Sequence, residues 1–183
     1  MIKNQIMRTV ALATLLFLFA VPALAGISAG KIKAAYINQF THYINWPDSL
    51  ASEAARFSIC ILGKGTVGES LKPLEKIPGA KISVSQLSKL NQADSCHMLY
   101  ITEPASGSMK QTLKYLSGKP VVTISSDEHF VANGGMIGFV VINNKVRLEI
   151  NLDACRRSNI NISAKLIEVA RAITDSSAKG GHQ

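Results

Sequence analysis

Three clusters of residue types invite a chemical reading. Gly63-Lys64-Gly65-Thr66-Val67-Gly68 has the spacing G-x-G-x-x-G, directly after a strand-like run and before a helical one. In a dinucleotide fold such glycines allow a tight turn and let a pyrophosphate approach the helix N-terminus. That fingerprint also needs an acidic residue about 20 positions on to hold the ribose. The stretch Val84-Ser85-Gln86-Leu87-Ser88 offers none. A plain glycine turn is the better reading, with capture of a small anion by backbone N–H groups as a lesser one.

The second cluster, Ser125-Ser126-Asp127-Glu128-His129, packs the residue types of a nucleophilic triad into five positions. Triads assemble from distant segments, and no G-x-S-x-G elbow is present. Loop residues in which Ser or Asp caps a short helix are expected instead. The four histidines, His42, His97, His129 and His182, show neither H-x-x-x-H nor H-E-x-x-H spacing. A zinc site is unsupported, no cofactor is implied, and nothing here argues for an enzyme.

The third cluster is the cysteines. Cys60 closes part of the run Phe57–Leu62, and Cys96 directly precedes the run from His97 to Ile101. Were those strands neighbours, a bridge between them would be geometrically reasonable. It would close a loop of about 35 residues, a contribution of about 3–4 kcal/mol in the chain-entropy model. Cys155 is the odd one, expected as a buried apolar thiol in a short helical stretch.

The compartment decides whether these thiols can pair. Lys3 and Arg8 precede the apolar run Val10–Val21, closed by Pro22 and by the small-x-small pattern Ala23-Leu24-Ala25. This reads as a secretory signal peptide cleaved before Gly26. The run is short of the roughly 20 residues that span a bilayer. Cleavage removes two of the positive charges, taking the net charge from +8 to +6. An exported protein with scattered lysines is not expected to meet nucleic acid, and most of the charge reads as solubilising. Export also makes disulfide formation the expectation.

Positioning falls to alternating helical and strand patterns. Ile32, Tyr36, Phe40, Tyr43 and Ile44 share a face, predicting a helix over 29–45, with Lys31, Lys33, Gln39 and His42 opposite. Strands are expected at 57–62, 81–84, 98–102 and 120–125, with helices at 66–74 and from Met109 to Leu116, the latter stopped at Gly118. Two further strands, 136–142 and 145–151, meet at Asn143-Asn144, a pair tolerant of a tight hairpin. Ile162, Leu166, Val169, Ala170 and Ile173 predict a closing helix, and a polar tail follows from Ser176. The series predicts one α/β domain over 26–175. Its sheet is mixed and mostly parallel, with helices on both faces and a C-terminal β-hairpin plus helix.

An ordered set of non-catalytic features remains. Phe40-x-x-Tyr43-Ile44-x-Trp46-Pro47 closes the first helix; Phe57-x-Ile59-Cys60-Ile61-Leu62-Gly63 forms the first strand; Cys96-His97 leads into the third. Phe130-x-x-Asn133-Gly134-Gly135-Met136-Ile137, Arg147-x-Glu149-Ile150-Asn151 and Ser163-x-Lys165-Leu166 follow in order. Together they resemble the YfiR family of small periplasmic proteins over roughly residues 30–172. That resemblance implies a repressor that binds the periplasmic portion of an inner-membrane diguanylate cyclase and holds the cytoplasmic cyclase inactive. It further implies sequestration by an outer-membrane lipoprotein and a disulfide between Cys60 and Cys96. Some members carry a second cysteine pair around the Gly-Gly-Met segment; Val131 and Gly138 stand there instead.

A repressor of this kind needs an exposed apolar patch. In the hairpin, Ile137, Phe139 and Val141 alternate with other apolar residues, so one face is a candidate for the partner; Trp46 is the second candidate. Self-association as a homodimer stays open. Two other classes compete: an exported small-ligand sensor or solute-binding component, and a hydrolase using Ser126 or His129.

Overall fold

The computed structural model describes residues 28–47, 56–102 and 109–176. The signal-peptide segment with its cleavage site, and the tail beyond Ser176, lie outside the described residues. Helix α1 (Ala29–Tyr43) runs into the two-residue strand β1 (Ile44–Asn45). Then come β2 (Phe57–Leu62), α2 (Thr66–Leu71), β3 (Ile82–Leu87), β4 (Met98–Ile101), α3 (Met109–Leu116) and β5 (Val122–Ser125). The chain ends with β6 (Ile137–Ile142), β7 (Lys145–Asn151), α4 (Leu152–Arg157), β8 (Asn161–Ile162), α5 (Ala164–Glu168) and β9 (Ala170–Thr174).

Seven strands form one sheet in the order β3-β2-β4-β5-β6-β7-β9. The pairs from β3 across to β6 are parallel, β6 and β7 form an antiparallel hairpin, and β9 runs parallel to β7. The fold is therefore the expected single α/β domain on a mixed, mostly parallel sheet. Parallel strands covered on both sides read as continuous apolar runs, and β4 is buried at all four positions.

Alternation divides each strand between two cores. Ile59, Ile61, Met98, Tyr100, Val122, Ile124, Ile137 and Phe139 belong to the larger core, with Ala34, Ile37 and Phe40 of α1. Cys60, Leu99 and Ile101 face the smaller one, under Leu113 and Leu116 of α3 and the fully buried Phe130. The hairpin turn has φ 49° at Asn143 and 58° at Asn144, the left-handed pair that a tight β-turn requires.

Four expectations are corrected. Helix α1 stops at Tyr43, because Ile44 and Asn45 leave it to pair with Ile162 and Asn161 of β8. Its buried stripe is Gly30, Ala34, Ile37 and Phe40, so Ile32, Tyr36 and Tyr43 sit at the margin rather than at the centre. The closing helix is only Ala164–Glu168, capped by Ser163, whose hydroxyl accepts from the Leu166 N–H. Residues 170–174 instead form β9 on the open edge of the hairpin. Edge pairing satisfies a row of backbone groups on β7, and this outweighs a helical spacing. Nor does a helix follow Ser125: Asp127 accepts from the His129 N–H and closes a turn.

The C-terminal strand is tied down by charge. Asp153 accepts from the Ser176 N–H at 3.2 and 3.0 Å and meets Arg156, which also reaches Asp175. The Asp153 carboxyl is held below its ordinary 3.8, chiefly by Ser176 and less by Arg156, with desolvation opposing them. A carboxylate with a lowered folded-state pKa adds stability above its unfolded pKa and loses it as pH falls through the folded value. Thermal stability is therefore expected to drop below about pH 4. Asp153→Asn should flatten part of that acid limb, as melting curves between pH 2.5 and 7 would show; an unchanged limb would remove Asp153 as its source.

Candidate partner-binding face

The disulfide ties together two neighbouring strands of the sheet. Cys60 in β2 and Cys96 just before β4 are bonded, their Cα atoms 6.0 Å apart and 36 residues distant in sequence. The strands are neighbours, with Cys60 opposite Leu99. His97 is locked beside the bridge: its backbone N–H donates to Ser58 O at 2.9 Å, and its Nδ1 accepts from the Ser58 N–H at 3.1 Å. Trp46 packs edge-on against Phe57 with ring centres 4.6 Å apart and donates Nε1–H to the His97 carbonyl at 3.2 Å. This candidate is thus half-buried and engaged at the foot of the sheet, holding the chain after α1 to the disulfide-linked strands.

Of the hairpin candidates, Ile137 and Phe139 are 0% and 1% exposed. Phe139 stacks on Phe40 and meets Tyr36, at ring separations of 6.1 Å in both cases. They are core residues under α1 and offer no surface to a partner, because the larger core occupies the face on which they lie. Val141, the third of the stripe, lies beyond α1 and is 56% exposed.

Two further large apolar residues are exposed among the described residues of the C-terminal segment. Val169 is 57% exposed and Ile173 38%. Ile173 stands in register with Ile150, a member of the larger core, so its side chain shares the α1 side of the sheet. Between α1 and α5 runs a cleft of about 570 Å³, lined by Tyr36, Phe40, Tyr43, Leu166 and Val169, with Lys165 and Glu168 also on its wall. Apolar lining with charges beside it is the anatomy of a protein-binding patch. The signal missed was the half-exposure of Tyr36 and Tyr43, hidden by a helical face drawn one step round from the true one.

Positions 131 and 138, where the resemblance implies a second cysteine pair in some family members, are neighbours: a Cβ on Gly138 would stand 3.0 Å from Val131 Cγ2. Val131 packs against the smaller core in this chain. The third thiol, Cys155, is free and 1% exposed. Burial pushes its pKa up to about 12, so almost no thiolate exists at neutral pH. Native protein at pH 8 should resist iodoacetamide, and denatured protein should take up one equivalent; rapid native labelling would contradict this burial.

Ser126 and His129 do not form a catalytic pair. Ser126 Oγ accepts from Lys33 Nζ at 2.7 Å and hydrogen-bonds Tyr100 Oη at 2.9 Å. The His129 imidazole instead meets the exposed Glu128 at 3.3 Å.

Comparison with known proteins agrees with this architecture. Residues 30–171 match a family model described as YfiR/HmsC-like. Among solved structures, a conserved domain protein from Vibrio cholerae superposes with a TM-score of 0.55 at 11% identity, covering 81% of this chain and 61% of that one. This chain therefore spans about three-fifths of that protein's length, and the likeness establishes the fold alone. An ABC domain from Streptococcus pneumoniae, solved with L-Trp, aligns at a TM-score of 0.49 and 10% identity over 64% of this chain and 55% of its own. That alignment carries no argument.

Proposed function

This chain belongs to the YfiR/HmsC-like family, a family of periplasmic regulators of diguanylate cyclases, and from that membership we propose that it is itself a repressor of one. In this reading the signal peptide is cleaved before Gly26. The mature protein binds the periplasmic portion of an inner-membrane diguanylate cyclase and holds the enzyme inactive, lowering cyclic di-GMP synthesis. It performs no catalysis of its own. The observation that carries the reading is the family match over residues 30–171; the candidate surface is Val169 on the α1–α5 cleft, with Val141 and Ile173 exposed on the same side of the sheet.

The mechanism is a population shift. A repressor silences a two-state enzyme only by binding its inactive state more tightly. Moving the balance from 1:99 to 99:1 takes about a 10⁴-fold preference, about 5.5 kcal/mol. Burying the exposed parts of Val141, Val169 and Ile173 supplies about 3 kcal/mol on transfer values. The half-buried rings of Tyr36 and Tyr43 must therefore share the contact. An outer-membrane lipoprotein that sequesters the repressor would relieve inhibition by competing for this face, and a homodimer formed through it would do the same.

Photocrosslinking tests the assignment. Benzoylphenylalanine at Val169 should capture a membrane protein that mass spectrometry identifies as a diguanylate cyclase. The same group at Lys110, exposed on α3 against the opposite sheet face, should not. Capture of the cyclase only from Lys110 would move the binding face. Capture from neither, in cells making both proteins, would count against the interaction.

A further inference from the structure

At the edge of the sheet formed by β3, far from β9 in the strand order, the chain makes a short connection of unusual composition. A 3₁₀-helix, Lys72–Lys76, follows α2, and a tight turn leads from it into β3. Pro78 and Gly79 hold the two central positions of that turn. Gly79 has φ 81°, and the Ala80 N–H donates to the Ile77 carbonyl at 3.0 Å. These are the marks of a type II turn, in which proline presets the first central residue and glycine supplies the positive φ of the second.

Both flanks of the turn are anchored. Glu75 Oε1 accepts from the Val84 N–H at 2.6 Å, tying the 3₁₀-helix to β3. The Lys81 carbonyl accepts from the Phe57 N–H at 2.6 Å, tying the other flank to β2. Leu74 and Ala80 pack against the larger core. A Cβ on Gly79 would meet nothing within 4 Å, so the tip stands clear of the chain around it. What the segment shows to solvent is apolar at its apex and cationic beside it. Ile77 is 50% exposed, and Pro73, Pro78, Lys72 and Lys76 are exposed as well. Glu75, the one acidic residue in 72–80, is half-buried and engaged with β3.

We propose that this turn docks the protein on an anionic phospholipid bilayer. Lysine ammonium groups at the level of the lipid phosphates, around an apolar apex that enters the headgroup layer, are the elements of interfacial binding. A turn already held by a Pro-Gly pair and two anchors loses little freedom on docking. Lipid is favoured over an acidic protein by what the segment lacks. Apart from Lys72, Lys76 and the engaged Glu75, no side chain in 72–80 can make a hydrogen bond. A protein interface draws on such directional contacts, whereas charge and apolar insertion suffice at a bilayer. Val169 and Ile173, on and before β9 at the other end of the sheet, are left open to a protein partner. The proposal stands independently of the cyclase reading.

Vesicle co-sedimentation of the periplasm-purified protein tests it, with phosphatidylcholine vesicles and with vesicles containing phosphatidylglycerol. The salt is set near 0.1 M, where charges more than about 10 Å from the surface are screened. Binding to the anionic vesicles and none to the neutral ones is expected. Lys72→Glu with Lys76→Glu should weaken binding at least tenfold, since each lysine near an anionic surface is worth about fivefold. Ile77→Ser should weaken it about fivefold at unchanged net charge, with the melting temperature held. Lys110→Glu with Lys114→Glu makes the same change of charge at exposed positions of α3, over the smaller core, and should cost far less. Equal loss from the two double variants would mean attraction by net charge alone. Wild-type binding by Ile77→Ser would point to an acidic protein surface held by charge without insertion. Either result, or no binding to anionic vesicles, overturns the proposal.

Discussion

Replacing both Cys60 and Cys96 with alanine is expected to lower the melting temperature by about 10 °C. A bridge closing a loop of 36 residues contributes about 4 kcal/mol in the chain-entropy model. A domain of this size shifts by about 2–4 °C per kcal/mol. Alanine is the right replacement because both sulfurs are buried, at 2% exposure each, and a serine hydroxyl would add its own desolvation cost. The loss should be reproduced in the wild-type protein by reductant. The single variant Cys60→Ala should resemble the double one, since either change opens the loop. A melting temperature within 2 °C of wild type in all of these would show that the sheet's register, rather than the bridge, sets stability.

Val141→Asp and Val169→Asp are expected to abolish cyclase binding without unfolding the protein. Both side chains are more than half exposed, so a carboxylate there stays hydrated in the free protein. At the centre of an apolar contact it would lose that hydration unpaired, a cost of several kcal/mol. Affinity should therefore fall more than a hundredfold, with the melting temperature held within about 2 °C. Calorimetry against the purified periplasmic domain of the cyclase would measure both limbs of the claim. Unchanged affinity in both variants would place the contact elsewhere on the surface. Phe139 is a useful contrast: its ring is buried against Tyr36 and Phe40, so truncating it impairs function only by destabilising the fold.

Which parts of this were legible in the sequence follows a physical line. Local signals survived translation into structure. Asn143-Asn144 turns the hairpin, Gly118 with φ 81° follows α3, and Ser163 caps α5. The apolar runs of β2, β4 and β6 became covered strands because burial on both faces needs no partner-specific information. What the sequence hid depends on distant pairing. Ala170–Thr174 carries a spacing compatible with a helix and becomes a strand only because β7 offers an open edge. The same error concealed Val169 and Ile173 as surface residues. The apolar spacing of 3 and 4 in α1 runs through Ile32, Tyr36 and Tyr43 as well as Phe40. On the core side lie the smaller Gly30 and Ala34, letting the helix settle close against Thr66 and the sheet. Tyr36 and Tyr43 were thereby left at the margin, where they build the cleft. The hydrogen-bonded group of Lys33, Tyr100 and Ser126 joins α1, β4 and the turn after β5, so no spacing announces it.

The most direct test of the central claim is intracellular cyclic di-GMP in the host. It should be measured with the gene, without it, and with wild-type or Val169→Asp protein restored. The account predicts a rise on deletion, reversed by the wild-type protein and left unreversed by Val169→Asp at equal periplasmic abundance. An unchanged cyclic di-GMP level on deletion, in cells shown to make both this protein and its cyclase, would contradict it.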